Sequence, residues 1–140
     1  MGSVAVLRAL AMHEDIQPAA VVLECPFDRL RTTVASRFTA MGMPAFPAAD
    51  LLLFWGSVQM GFNGFQHNPA DYARAVRSPV LQLHGAEDTR VTREHAETIF
   101  RNLGGEKEFQ VFENVGHESY FAKCPEQWKK VASTFLTLHR

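Results

Sequence analysis

Runs of consecutive apolar residues alternate along the chain with segments in which apolar residues recur every three or four positions. The runs at 19–23, 79–83 and 109–112 are typical of short strands that are buried on both faces of a parallel sheet. Helical spacing of apolar residues predicts helices in four segments: 4–11, 30–41, 96–103 and 125–135. Because strands that alternate with helices form parallel sheets covered by helices, the pattern predicts an α/β fold with about three parallel strands.

Residues 27–77 interrupt this alternation and form a helical insertion over one end of the sheet, here called the cap segment. We expect one helix over about 28–41 and a second over about 48–60. The second helix carries the run 51–55, which is apolar on every side, so we expect this helix to be covered on all faces. Packing is the favoured role of residues 51–65. In the alternative, four of them line a site for an acyl or aromatic group: Phe54, Trp55, Met60 and Phe62.

The composition is that of one globular domain, residues 1–140, that can bury a core without disulfides or metal ions. Fourteen Lys and Arg residues against fifteen Asp and Glu residues give a net charge of −1 without a run of like charges, which argues against nucleic acid and membrane partners. No apolar run approaches the ~20 residues of a membrane helix, and the N-terminus does not resemble a signal peptide. Cys25 and Cys124 are far apart, so we expect two ordinary thiols in a soluble, cytoplasmic protein.

Two polar residues stand shortly after predicted strands, where ligands gather in parallel sheets. Asp88 ends the sequence HGAED after the second strand, and His117 ends the sequence NVGH after the third. A helix of about twelve residues runs back roughly 18 Å between them, and about five extended residues return roughly 17 Å. The path closes on one edge of the sheet, so we expect Asp88 and His117 to meet.

A carboxylate beside an imidazole is the orienting half of a nucleophilic triad, because the carboxylate holds one ring nitrogen while the other takes a proton from the nucleophile. The sequence PVLQLHGAEDTRV at 79–91 and the Gly116-His117 loop resemble the acid-bearing turn and the histidine loop of the α/β-hydrolase family. The resemblance covers the whole chain. It implies a serine hydrolase that cleaves carboxylic esters or amides without a cofactor, with Asp88 as the acid and His117 as the base.

The first residues, MGSVAVLRAL, resemble the segment that follows the nucleophilic serine in the G-x-S-x-G elbow of this family. The resemblance implies that the serine precedes Met1 and that Met1 stands at the position of a backbone oxyanion donor. It further implies a C-terminal portion of the α/β-hydrolase fold. Such a portion is expected to be inactive alone, because loss of the nucleophile lowers turnover by about 10⁶-fold in subtilisin.

Other roles compete for the same residues. In the alternative, Asp88 caps the following helix and His117 is an exposed loop histidine. Ser3 and Ser119 are disfavoured as nucleophiles, because Ser3 lies a turn into a helix and Ser119 is too close in sequence to the histidine. A metal ion held by His84, Asp88 and His117 is also disfavoured, because no second ligand cluster accompanies them, and we expect no metal site.

A second hypothesis is a non-catalytic binding or self-assembling protein that retains half of the fold. The strand at 19–23 would then be an unpaired edge, which is a template for another strand. We therefore expect a dimer or larger homo-oligomer that forms through this edge. For the complete enzyme, the expected partner is a small ester or amide substrate.

Overall fold

A computed structural model describes residues 2–140, which form seven α-helices and three β-strands. In chain order the elements are α1 (Gly2–Met12), β1 (Val21–Glu24), α2 (Leu30–Ala40), α3 (Ala48–Met60), α4 (Pro69–Tyr72), β2 (Val80–Gly85), α5 (Arg93–Asn102), β3 (Lys107–Phe112), α6 (Tyr120–Lys123) and α7 (Pro125–Leu138). Two 3₁₀ turns, Gly64–Gln66 and Ala73–Ala75, lie on either side of α4. Among these residues, no helix combines the length and hydrophobicity that crossing a membrane requires.

The three strands form one parallel sheet in the order β1-β2-β3, which confirms the predicted α/β class. The central strand is β2, where Val80 pairs with Val21 of β1 on one side and with Lys107 of β3 on the other. All six residues of β2 are buried, as expected for a strand with an apolar run and neighbours on both sides. The carboxyl ends of all three strands therefore lie along one edge of the sheet.

Apolar side chains pack on both faces of the sheet. Helices α1, α4 and α5 pack on one face in a cluster whose buried members include Leu7, Leu23, Val80 and Ile99. Helices α6 and α7 cover the other face in a second cluster: Leu81, Leu83, Phe112, Val115, Tyr120 and Phe135. Each large apolar side chain that is fully buried stabilises the fold by roughly 1.5–3 kcal/mol, so the two clusters hold the layers together.

The observed elements differ from the predicted ones mainly at their ends. β1 begins at Val21, where the first amide donates to the carbonyl of Pro79, and not at residue 19. β2 continues to Gly85 because its pairing with β3 extends as far as Phe112. Helices α4 and α6 were not expected from the sequence, since four residues are too few to show a helical period.

The cap segment contains α2, α3 and α4. α2 begins at Leu30 and not at the expected residue 28, because its N-cap is Arg29, whose amide donates to Asp28 Oδ1. The expectation that α3 is covered on all faces is wrong, because α3 packs mainly on α2 and on the turn Gly64–Gln66. Leu53 is buried, but six apolar side chains are at least half exposed and are called the α3 apolar surface: Leu51, Leu52, Phe54, Trp55, Val58 and Met60.

Ser3 connects the start of α1 to the end of β1. Its hydroxyl donates to the carbonyl of Glu24 (2.6 Å) and accepts from the Glu24 amide (3.0 Å). Because the amides of Val21 and Cys25 point to β2, the backbone groups of Glu24 point to the outer edge of β1. Ser3 thus binds part of the outer edge of β1. Among the described residues, no strand pairs with Val22 on that edge.

Gly85, at the end of β2, packs tightly against the backbone of the loop that follows β3. A Cβ atom at Gly85 would lie 2.8 Å from the carbonyl oxygen of Gly116 and nearer still to that of Val115. Because backbone atoms cannot move aside as a side chain can, we predict that Gly85→Ala lowers the free energy of unfolding by about 1–3 kcal/mol. At Gly116, a Cβ atom would lie at an ordinary 3.5 Å from the carbonyl oxygen of Glu87. Gly116→Ala should therefore change the free energy of unfolding by less than about 0.5 kcal/mol. Urea unfolding measures the free energy of unfolding of both variants. Equal losses of stability would contradict the close contact of Gly85 with Val115 and Gly116.

Candidate active site

Asp88 lies in the turn that follows β2. Its amide donates to the carbonyl of Gly85 (3.1 Å), and its Oδ1 accepts from the amides of Arg90 (2.8 Å) and Val91 (2.9 Å). Aspartate stabilises a turn in this way because its short side chain reaches amides two or three residues further along the chain. These bonds fix the carboxylate, whose side chain has no exposed area, and leave Oδ2 for a neighbouring loop.

His117 lies in the loop that follows β3, and its ring meets Asp88. Nδ1 of His117 is 2.9 Å from Oδ2 of Asp88. Because an ionised carboxylate only accepts, Nδ1 carries the proton, and Nε2 of the neutral ring has a free lone pair. The His117 side chain is 33% exposed, so the ring links a buried carboxylate to the surface. The structure therefore brings together the two residues that the sequence selects as acid and base.

Backbone contacts hold the two turns against each other. The amide of Ala86 donates to the carbonyl of Phe112 (2.9 Å), and the amide of Glu87 donates to the carbonyl of Val115 (3.0 Å). The missing side chain of Gly85 allows this approach. The relative position of the two turns is therefore set by the main chain, which is a rigid support for a pair of reactive side chains.

Cys25 directly follows β1, the remaining strand of the sheet. Cys25 has a φ of 44°, in the left-handed region that residues other than glycine seldom adopt. Its Sγ is 2.6 Å from the hydroxyl of Tyr120, which also accepts from the amide of Gly85 (2.8 Å). Donor atoms of Cys25, Asp88 and His117 all lie within 4.8 Å of one another. A side chain with a possible metal-ligand atom thus follows each of the three strands, and the three meet in one place.

Burial and hydrogen bonding shift the acidities of these groups. Burial raises the pKa of Asp88, but the hydrogen bonds from the Val91 amide and from His117 outweigh it, so this pKa lies below its ordinary value. Burial raises the pKa of the Cys25 thiol to about 12 despite the nearby Tyr120 hydroxyl, and it also raises the pKa of the Tyr120 phenol. At neutral pH the site therefore holds a carboxylate, a thiol and a phenol.

A cavity of about 260 Å³ opens beside the His117 ring. Five residues line it: Glu24, Cys25, His117, Glu118 and Ser119. The Glu24 carboxylate accepts from the indole N–H of Trp128 (2.6 Å), which ties α7 to the end of β1. The space next to the ring is therefore polar and has two carboxylates on its wall.

The serines that the sequence offers as nucleophiles have other roles. Ser3 binds the backbone of Glu24, and the Ser119 hydroxyl caps α6 by accepting from the amide of Ala122 (3.4 Å). Among residues 2–140, no serine hydroxyl is hydrogen-bonded to His117. A nucleophilic serine for His117 is therefore not found within the described part of the chain.

Two further candidates are not part of this cluster. His84 is buried within β2, its ring stacks on Phe109, and it is not in the ligand cluster that contains Asp88 and His117. Met1, the expected oxyanion donor, lies outside the described residues, so its role stays a prediction.

The apolar residues of the cap segment lie apart from Asp88 and His117. Phe54 and Phe62 line a cavity of about 450 Å³ together with Phe65, and neither Asp88 nor His117 borders it. The other two residues of the expected acyl or aromatic site are exposed on the α3 apolar surface: Trp55 and Met60. The described residues therefore do not join the four into one pocket beside His117.

Sequence reasoning did not find the roles of Cys25 and Tyr120. A signal for Cys25 is present, because it directly follows the first strand, at the edge where ligands gather in parallel sheets. Tyr120 has no comparable signal, since its hydroxyl meets Gly85 and Cys25, which are 35 and 95 positions away.

Comparison with solved structures identifies the fold. The esterase Pf2001 of Pyrococcus furiosus superposes with a TM-score of 0.70 at 21% identity, over 98% of this chain and 50% of the esterase. An acetyl xylan esterase of Paenibacillus sp. R4 gives 0.66 at 14% identity, over 97% and 42% of the two chains. An acylaminoacyl peptidase of Pyrococcus horikoshii gives 0.64 at 20% identity, over 96% and 22%. The chain therefore has the α/β-hydrolase fold, and it spans half or less of each of these proteins.

One curated sequence also matches over nearly the whole chain. YqkD of Bacillus subtilis is 23% identical over 137 residues, which are 97% of this chain and 45% of YqkD. No family model matches the chain. The chain thus spans about half the length of this relative, and the roles of Asp88 and His117 have to be argued from their own geometry.

The hydrogen bonds of Asp88 generate a pH-dependent prediction. Because the pKa of this carboxyl is lower in the folded state than the ordinary 3.8, its stabilising contribution is present above that value and is lost as pH falls through the folded pKa. We predict that Asp88→Asn lowers the free energy of unfolding by about 1–3 kcal/mol at neutral pH, and that the difference from the unmodified chain narrows as the pH falls below 3.8.

Urea unfolding at several pH values measures this difference. Asp15→Asn is the matched control, because Asp15 is exposed, and its effect should be small at every pH. A loss for Asp88→Asn that does not change with pH would contradict the assigned hydrogen bonds.

Proposed function

We propose that the chain supplies the acid and the base of a serine hydrolase that cleaves carboxylic esters or amides. The observation that carries this proposal is the 2.9 Å contact between Nδ1 of His117 and Oδ2 of a fully buried Asp88. The two side chains come from the ends of neighbouring parallel strands in an α/β-hydrolase fold. That several proteins of the same fold are esterases or peptidases by name supports the reaction class.

The geometry supports the following chemistry. Asp88 holds Nδ1–H of His117, so that Nε2 accepts the proton of a serine hydroxyl as the oxygen attacks the substrate carbonyl. The carboxylate stabilises the imidazolium that results, and His117 then protonates the leaving alcohol or amine. In the second half of the reaction, His117 takes a proton from a water molecule that attacks the acyl-enzyme, and it returns a proton to the serine oxygen as the acid leaves. This reaction needs no cofactor.

The proposal requires a serine hydroxyl that residues 2–140 do not bring to His117. The cavity lined by Cys25, Glu118 and Ser119 is open beside the ring and is the space for such a hydroxyl. For the 140 residues alone we expect turnover lower by about 10⁶-fold, the cost of a missing nucleophile in subtilisin.

A fluorophosphonate probe tests this proposal. We predict no labelling of the 140-residue chain and labelling of a longer polypeptide in which Gly-x-Ser, encoded in frame directly before Met1, completes a Gly-x-Ser-x-Gly elbow with Met1 and Gly2. In the longer polypeptide, ester hydrolysis should fall by about 10⁶-fold for His117→Ala and by about 10⁴-fold for Asp88→Asn. Sequencing of the upstream codons comes first, because it shows whether such an elbow is encoded.

His13→Ala is the matched control, because His13 is exposed and has no part in the proposed chemistry. Labelling of the 140-residue chain would contradict the requirement for an outside serine. An upstream region without an elbow, or hydrolysis that survives His117→Ala, would reject the proposed function itself.

The second candidate function is self-assembly without catalysis, and the α3 apolar surface favours it. Six large apolar side chains are at least half exposed there, and residues 51–70 contain no Asp, Glu, Lys or Arg. Monomeric proteins seldom expose an apolar patch of this kind without a partner. The outer edge of β1 offers a second copy fewer groups than expected, because Ser3 already binds the backbone of Glu24.

Sedimentation of the chain at micromolar concentration tests self-assembly. We predict a dimer or larger oligomer, and Trp55→Lys should shift the equilibrium toward monomer by at least about tenfold, because a buried aromatic side chain contributes over 1.4 kcal/mol to an interface. Gln59→Lys adds the same charge at an exposed polar position of α3 and is the matched control. A well-folded monomer of the unmodified chain would reject this candidate.

A further inference from the structure

Three potential metal ligands of different chemical types meet at the ends of the three strands. Cys25 follows β1, Asp88 follows β2 and His117 follows β3, and their donor atoms lie within 4.8 Å of one another. We propose that these three side chains form a binding site for Zn²⁺. This site departs from the sequence-based expectation of no metal, because Cys25 takes the place that His84 has in the disfavoured set.

The three donors match the ligand preferences of zinc. Zn²⁺ binds cysteine sulfur, histidine nitrogen and carboxylate oxygen at about 2.0–2.3 Å, with tetrahedral geometry. Ligand atoms at these distances are about 3.3–3.6 Å apart in a tetrahedral site, so separations of up to 4.8 Å need to close by at most about 1.5 Å. His117 Nδ1 and Asp88 Oδ2, now 2.9 Å apart, need to move apart by about 0.4 Å. Rotation of the partly exposed His117 ring and of the short Cys25 side chain supplies this movement.

The charges of the complex also balance. Binding breaks the S–H bond of Cys25, forms a Zn–S bond and releases the thiol proton to solvent, with no oxidation or reduction. The His117 proton moves through solvent from Nδ1 to Nε2, so that Nδ1 binds the ion and the ring stays neutral. The thiolate and the Asp88 carboxylate together neutralise the two positive charges of the ion, while His117 binds in its neutral form. A thiolate ligand favours Zn²⁺ over Mg²⁺, which prefers oxygen ligands.

Neighbouring groups are placed to support these ligands. The hydroxyl of Tyr120 is 2.6 Å from the sulfur of Cys25 and accepts from the amide of Gly85, so its own proton is available to a thiolate. Oδ1 of Asp88 is held by two backbone amides, so the metal takes Oδ2, whose hydrogen bond from His117 Nδ1 is exchanged for the bond to the ion. Hydrogen bonds of this kind orient the ligands of zinc sites and typically change metal affinity by about 10- to 100-fold.

An entry path is present. Cys25 and His117 both line the 260 Å³ cavity, and the carboxylates of Glu24 and Glu118 stand on the same wall. Carboxylates at the mouth of a cavity attract a cation. The cavity also leaves room for water at a fourth coordination position, as in zinc sites with three protein ligands.

A bound Zn²⁺ occupies the donor atoms of Asp88 and His117, so neither residue could then act as an acid or base. Under the proposed function, the ion is therefore a reversible inhibitor. The zinc site itself does not depend on that function, because its ligand atoms are present whether or not a serine reaches His117.

A titration of the 140-residue chain with Zn²⁺ alone, in competition with a chromophoric chelator, tests the site. We expect one ion per chain and no uptake of Mg²⁺. Cys25→Ser and His117→Ala should each weaken binding by more than about 100-fold, beyond the effect of losing a supporting hydrogen bond. With Co²⁺ as the probe, a thiolate-to-metal charge-transfer band should appear and should be absent from Cys25→Ser.

Cys124→Ser is the matched control, because Cys124 is the other free thiol and lies outside the cluster. It should keep the stoichiometry, the affinity and the Co²⁺ band. Circular dichroism checks that each variant folds. If Cys25→Ser does not fold, His117→Ala still tests the site, because His117 is exposed and its replacement disturbs the core little. Absence of Zn²⁺ binding, binding that persists in both ligand variants, or binding lost in Cys124→Ser would overturn the proposal.

Discussion

The backbone of Gly85 packs against the carbonyl groups of Val115 and Gly116 with no space for a side chain, and the arrangement of the site depends on this contact. It brings the turn after β2 against the loop after β3, so that Asp88 and His117 meet through a direct hydrogen bond. The same glycine donates its amide to Tyr120, which connects the turn to the sulfur that follows β1. Main-chain geometry, more than any single side-chain interaction, assembles the cluster.

This dependence on the main chain explains how far the site could be predicted from the sequence. The pairing of Asp88 with His117 follows from topology, because parallel strands joined by a helix end at the same edge. The contact between Cys25 and Tyr120 does not follow from topology, because it requires the packing of side chains 95 positions apart. Local spacing contains no information on such a contact, and the same is true of the bond between Ser3 and Glu24.

In the cap segment too, features that depend on neighbouring residues could be predicted, and features that depend on distant parts of the chain could not. The bounds of α3 were predictable, because its residues favour a helix and Gly61 ends it with a φ of 68°. Its exposure was not predictable. A run of apolar residues shows that burial would be favourable, but whether a neighbour covers the run depends on the rest of the fold, and here α2 and one 3₁₀ turn reach only one side.

The position of the cap segment between two paired strands has a consequence for chain entropy. Val21 pairs with Val80, so the connection closes a loop of 80 − 21 = 59 positions. The entropy of closing a loop grows only with the logarithm of its length, and a doubling costs about 0.6 kcal/mol. Insertions or deletions within this connection are therefore inexpensive for the sheet. Evolution can remodel the cap segment while the turns that hold Asp88 and His117 keep their places.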